Sequence, residues 1–245
     1  MATQRHLEKA PITEAIIDLR VILPSNFDAQ EFSKLSEELA ARYPKKEPRK
    51  LFTGSFGVQE GKPFTGPTED KGIHGYFYKS EDERNIVQFR LDGFTSNRLH
   101  PYTKWESVIS EAKNMWELYC SISKPELITR VAVRYINRLE LPLPIDFEHY
   151  LTAPPKIPDS LPQELSGFLT RMVISEAGIT ANIIQSLDRS TKPDHGVIIL
   201  DIDVFEVKES GFDKKKVWPE FEQLRSFKNR IFFKSITEET ARLYE

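Results

Sequence analysis

The chain has 245 residues, 39% hydrophobic and 29% charged, with 16 Phe, 8 Tyr and 3 Trp, enough apolar bulk to bury a core and too much for a disordered polymer. One cysteine, Cys120, excludes an intramolecular disulfide framework and a cysteine-based metal site, and a formal net charge of −3 gives no global basic excess for nucleic acid. The opening MATQRHLEKAPITE is polar where a signal peptide is apolar, and runs such as Val197 to Leu200 are far too short to span a bilayer, so a cytoplasmic protein with no membrane partner is expected.

Ile12–Leu23 alternates, with Ala15, Ile17, Leu19 and Val21 on one side and Glu14, Asp18 and Arg20 on the other, which predicts a half-buried strand. Phe32, Leu35, Leu39 and Tyr43 then fall three and four residues apart, predicting a helix over Phe27–Tyr43 with Asn26 or Asp28 as its cap. Pro44 to Gly72 is rich in Pro, Gly and Lys; a strand at Leu51–Val58 and a mobile connector after it are expected. Strands are predicted at Gly75–Lys79 and Asn85–Phe94. The segment GFTSNRLHPYTKWE links them to an amphipathic helix at about Thr103–Ser121, capped by Thr103 with Glu106 completing a capping box.

The strand Leu127–Leu141 repeats the opening: Ile-Thr, an alternating apolar run and a closing Leu-Pro recur. A short helix (Phe147–Leu151), a Pro-rich loop (Pro154–Pro162), strands at Ser166–Glu176, Thr180–Leu187 and Val197–Val207, and a helix from Trp218 with a Phe221, Leu224, Phe227, Ile231 stripe complete the chain. Ile12 and Ile128, Pro24 and Pro142, and Trp105 and Trp218 recur in order at offsets of 113 to 118. The expected fold is therefore α+β: a duplicated strand–helix–three-strand–helix unit, residues 1–124 and 125–245, in one pseudo-two-fold domain. Its mostly antiparallel sheet is curved or barrel-like, with three longer helices packed on one face.

K-A-P-I-x-E-A-I-I-D-L-R at the start, G-F-x-S-x-R-x-x-P-Y-x-x-W-E over Gly93–Glu106 and V-x-V-R-Y-I-N-R over Val131–Arg138 resemble a sporadically distributed family of uncharacterised bacterial and archaeal proteins of about this length. The resemblance implies no activity. The family's patchy distribution suggests mobile-element, toxin–antitoxin or defence contexts, an association and not a mechanism.

No metal-ligand spacing joins His6, His74, His100, His149 and His195, and no GxSxG, GxGxxG or Walker-type motif occurs, so neither a catalytic residue, nor a metal, nor a cofactor is assigned. Arginine carries the most informative pattern. Arg130, Arg134 and Arg138 share one side of their strand, and under the repeat alignment Asp18 faces Arg130 and Glu14 faces Arg134. Asp201 and Asp203 project from one strand face, roughly 6–7 Å apart, and with Arg90 and Asp92 are expected to join the same polar surface. That surface is either an ion-pair network or an anion groove. For the groove, Arg90, Arg98, Arg134, Asn137 and Arg138 are the candidate ligand-binding residues, since a guanidinium fork suits phosphate or carboxylate oxygens.

The function expected is that of a non-enzymatic binding or interaction protein, whose partner is an anionic small molecule or an operon-encoded protein. An exposed sheet edge would favour a homodimer. The alternative is a phosphohydrolase of the triphosphate-tunnel type acting on nucleotides or polyphosphate.

Overall fold

The computed structural model describes residues 1–54, 68–214 and 216–245, and the backbone of 56–59 and 62–65. In chain order the elements are β1 (Ile12–Ile22); a 3-10 turn (Ala29–Leu35) leading into α1 (Ser36–Leu39); β2 (Lys45–Thr53), β3 (Phe56–Gln59), β4 (Lys62–Thr65), β5 (Glu69–Lys79), β6 (Asn85–Arg90) and β7 (Gly93–Leu99); α2 (Trp105–Ser123); β8 (Leu127–Pro142); α3 (Phe147–Tyr150); β9 (Leu169–Glu176), β10 (Ile179–Arg189) and β11 (His195–Phe212); and α4 (Trp218–Ser235) and α5 (Glu238–Arg242).

Nine strands form one antiparallel sheet in the order β2-β5-β6-β7-β1-β8-β11-β10-β9, while β3 and β4 pair separately. The sheet does not close: β2 and β9 are its two edges, so the barrel-like alternative is replaced by an open sheet. β1 and β8 pair at its centre, with Ile17 opposite Val133 and Asp18 opposite Ala132. On one side of that seam stand β7, β6 and β5; on the other stand β11, β10 and β9. Trp105 and Trp218 are the first residues of α2 and α4, and each touches the other helix: Trp105 Nε1 donates to Glu222 at 2.6 Å, and the Lys113 ammonium lies 5.6 Å from the Trp218 ring centre.

The alternation decides which face is covered. Ala15, Ile17, Leu19 and Val21 of β1, Val131, Val133, Tyr135, Leu139 and Leu141 of β8, and Ile198, Leu200, Ile202 and Val204 of β11 are buried under α2 and α4. Phe32, Phe89, Phe94, Trp116 and Tyr119 form a ring cluster at this level, with Phe32–Tyr119 centroids 5.2 Å apart and Trp116–Tyr119 5.3 Å, distances at which aromatic pairs attract beyond their buried area. The segment predicted as a long first helix is instead mostly 3-10. Phe32 and Leu35, three residues apart, eclipse onto the core, and Asp28 caps the turn by accepting from the Gln30 N–H. α2 starts after Lys104 with no side-chain cap, so the expected Thr103 cap does not form. Part of the Leu51–Val58 strand and of the connector after it lies outside the described residues.

The largest departure from the sequence reading is at Asn85–Phe94. Two strands stand there, turned at Leu91-Asp92, and the expected GFTSNR loop is β7, a central strand beside β1. Gly93 makes this turn feasible: its φ is +154°, and a Cβ there would lie 2.2 Å from the Leu19 carbonyl oxygen. Because the obstacle is backbone in the neighbouring strand, Gly93→Ala is expected to destabilise the protein by about 3 kcal/mol, read as a lowered denaturation midpoint at unchanged slope.

Candidate functional site

The sheet face opposite α2 and α4 carries the arginines. Arg90 on β6 is 3% exposed; it donates to Asp18 at 3.0 Å, to Asp92 at 2.9 Å and to the Thr95 hydroxyl. Asp18 also accepts from Thr95 at 2.8 Å and from Arg130 at 3.0 Å. Arg130 continues to Asp203 at 3.1 Å and lies over the Phe205 ring, 4.5 Å from its centre. Arg20 is paired with Asp92, and Arg134 clasps both oxygens of Asp201 at 2.8 and 2.6 Å.

These contacts set the charges. The hydrogen bonds to Asp201 raise the Arg134 pKa. Burial raises the Asp203 pKa despite Arg130 and Arg134. At Asp92 burial pulls upward, but Arg90 and Arg20 outweigh it and the net shift is down. Arg49 reaches the same surface from β2, where burial lowers its pKa. Arg20, Arg90, Arg130 and Arg134 are thus paired with Asp18, Asp92, Asp201 and Asp203, whereas the Arg49 side chain makes no hydrogen bond or ion pair among the described residues and its Nη1 is buried.

The expected Asp18–Arg130 pair is present. Glu14 does not pair with Arg134: it accepts from Asn97 at 2.6 Å, because Arg134 stands opposite Ile16 and turns toward β11. The five candidate ligand residues do not form one site. Arg90 and Arg134 are in the ion-pair network, and Arg138 donates to Asp188 at 3.1 Å and to the Arg189 carbonyl at 2.9 Å. Arg98 and Asn137 have the opposite strand parity and point to the helix side. There Arg98 donates to Asn85 at 3.2 Å and Asn137 to the Leu200 carbonyl at 2.9 Å.

Asn137 leads to a second surface. Beneath α4 lies a cleft of about 590 Å³ floored by Tyr135, Asn137, Lys228 and Phe232, with His6, Tyr102 and Arg225 toward its mouth. The N-terminal segment runs along one wall, held where the Ala2 N–H donates to the Phe233 and Ile236 carbonyls at 3.0 and 2.9 Å and where Lys9 N–H donates to the Tyr244 carbonyl at 2.9 Å. Tyr102 and Tyr135 touch edge to face and share a hydroxyl hydrogen bond of 3.2 Å.

Lys228 is the anomaly here. It is 7% exposed, and among the described residues it makes no hydrogen bond or ion pair. Its ammonium lies 3.7 Å from the centre of the Tyr135 ring, a cation–π contact. Burial, with a smaller push from Arg225, lowers its pKa to about 7. Neighbouring cations have partners: Arg225 is 3.4 Å from Glu222 and covers Trp105, and Arg5 pairs with Glu238 at 2.9 Å and Glu245 at 2.6 Å. Lys228 is not among the residues that the sequence pattern singles out. The signal was its position, four residues after Leu224 and three before Ile231, on the apolar stripe.

The fold and cleft define an α+β protein with an open antiparallel sheet, helices on one face and a lysine-floored cleft at their edge. No family model matches the chain, and no curated protein matches it in sequence. No helix among the described residues is long and apolar enough to cross a membrane.

Proposed function

We propose that this is a non-enzymatic binding protein that holds a small organic anion in the cleft beneath α4, with Lys228 as the counter-charge. The observation that carries this reading is Lys228, a residue 7% exposed whose ammonium faces the cleft without a hydrogen bond or ion pair among the described residues. A largely buried charge without a partner costs several kcal/mol, and a ligand carboxylate or phosphate would supply the partner that the described residues do not. The volume lies in the ~300–1,000 Å³ range of small-molecule sites, and Tyr135 and Phe232 suit a ligand with a ring or apolar body.

The segments behind the family resemblance add support. Ala10, Pro11 and Ile12 of the first motif, Tyr102 of the second and Tyr135 and Asn137 of the third all line this cleft, although they are far apart in sequence. In the same reading, the chain is two copies of one unit, 1–124 and 125–245. Supporting this are the strand order on either side of the β1–β8 seam and the tryptophans that open α2 and α4. A cytoplasmic setting with an operon-encoded partner fits the lone cysteine and the resemblance. The phosphohydrolase alternative needs a closed, charged barrel, and an open sheet supplies no tunnel.

The test is a thermal-shift screen of carboxylates, nucleotides and phosphate esters on the wild type, Lys228→Met and Arg138→Ala. A ligand present at a hundred times its Kd is expected to raise the wild-type Tm by about 5–10 °C. Arg138→Ala should respond alike and Lys228→Met should not. If no anion stabilises the wild type, or Lys228→Met responds equally, the reading fails.

A further inference from the structure

The two edges of the sheet are built differently. β2 carries Lys45, Lys46, Pro48, Arg49 and Lys50, the charges and proline that keep an edge strand from pairing with another chain. β9, Leu-Thr-Arg-Met-Val-Ile-Ser-Glu, has no lysine and no proline. Leu169, Met172, Val173 and Ile174 are all exposed on it, Val173 by 58%. Although β2 also exposes Leu51 and Phe52, only β9 lacks both lysine and proline, with its two charges, Arg171 and Glu176, held within the chain by Asn182 and Arg230, and such an edge is a pairing surface.

We propose that β9 pairs antiparallel with β9 of a second copy of this chain, about a two-fold axis through Val173, joining the two sheets into one. A two-fold axis perpendicular to a continuous sheet keeps each face on its own side, so residues of the same parity must meet. Among such registers, the one centred on Val173 places apolar residues on apolar and polar on polar. Val173 meets itself, Met172 meets Ile174 of the partner subunit, and Arg171 meets Ser175 of the partner subunit. Shifting the axis by one residue toward Met172 sets Arg171 against a valine; shifting it toward Ile174 sets Met172 against a glutamate.

A second observation points to the same register. Among the described residues the Thr170 hydroxyl is buried without a hydrogen-bond partner, opposite the equally unpartnered Gln185 amide, and the centred register adds Glu176 of the partner subunit, the residue that pairs with Arg230 within its own chain, on its open side. Pairing β9 with β2 of another copy would instead be head-to-tail and open-ended, and would bring the β2 cations against Arg171. The closed two-fold dimer is the arrangement that remains.

Sedimentation across a dilution series tests the assembly. The wild type is expected to be dimeric, and Val173→Lys, which sets two like charges opposite each other, to weaken the dimer about a hundredfold or more. Val173 is exposed in the single chain, so Val173→Lys should keep its far-UV spectrum and Tm at dilutions where it is monomeric. Cross-linking in a Cys120→Ser background tests the register. Val173→Cys places two thiols within disulfide reach, whereas two Arg171→Cys residues lie about 13 Å apart along the strand. Oxidation should therefore link the first variant and not the second. A monomeric wild type, a Val173→Lys protein that dimerises as tightly, or equal cross-linking at both positions would overturn the proposal.

Discussion

Asp18→Ala is expected to lower stability by about 3 kcal/mol, with a fall in Tm of about 6–12 °C for a chain this size. Asp18 is the hub of the face opposite α2 and α4: Arg90, Arg130 and Thr95 all donate to its two oxygens. Removing it leaves Arg90 in place, 3% exposed and short of one carboxylate, and a buried charge that has lost a partner costs more than the pair contributed. The cost should therefore be coupled to Arg90. In a double-mutant cycle, Asp18→Ala with Arg90→Met should lose about 1–3 kcal/mol less than the two single losses added together. Strict additivity by chemical denaturation would show that the network holds no shared energy.

Lys228→Met is expected to act in the opposite direction, raising stability by on the order of 3 kcal/mol at pH 6. The folded pKa of Lys228 lies near 7, below its ordinary 10.5, so the folded state disfavours the proton. The penalty is fully present below pH 7 and is relieved as pH rises from 7 to 10.5. The ring face of Tyr135 returns part of it, which keeps the effect below what the full shift implies. The other groups around the cleft are Arg225 on the same helix, Tyr102 and Tyr135, and Arg5, His6 and Glu8 on the N-terminal segment. They are common to both proteins, so the difference between wild type and Lys228→Met isolates the lysine. That difference should shrink steadily toward pH 10; a constant one, measured by denaturant unfolding at several pH values, would mean Lys228 does not titrate there. The same substitution should abolish anion binding, a stabilised fold with a lost function.

Strands whose two faces differ were legible in the sequence. β1, β8 and β11 alternate because one side meets α2 and α4 and the other meets water and ions, and their bounds agree with the sequence to within a few residues except at the longer ends of β11. The β6–β7 turn was not legible, because Val87, Phe89 and Leu91 continue the alternation up to Asp92-Gly93 and hide the turn signal of that pair. Missing it turned a central strand into a loop and put Arg98 on the wrong surface. Asn137 was misplaced for a different reason: naming it with Arg138 ignored that adjacent strand residues face opposite ways. The partners of Arg134 and Arg138, Asp201 and Asp188, come from strands whose register only the assembled sheet defines.

The central position of β1 also bears on synthesis. Its partner β8 is complete only when Pro142 has been added, 120 residues after Ile22. At about 5–20 residues per second, the β8-side edge of β1 stays open for roughly 6 to 24 s while β5, β6 and β7 can already assemble on its other side. During that interval Ile16, Ile17 and Leu19 lie on a naked edge that can pair with the same strand on a neighbouring nascent chain. Polysome crowding is thus the condition under which this sheet is most exposed to swapping its halves, and slowing translation before residue 142 should lower the yield of correctly paired protein.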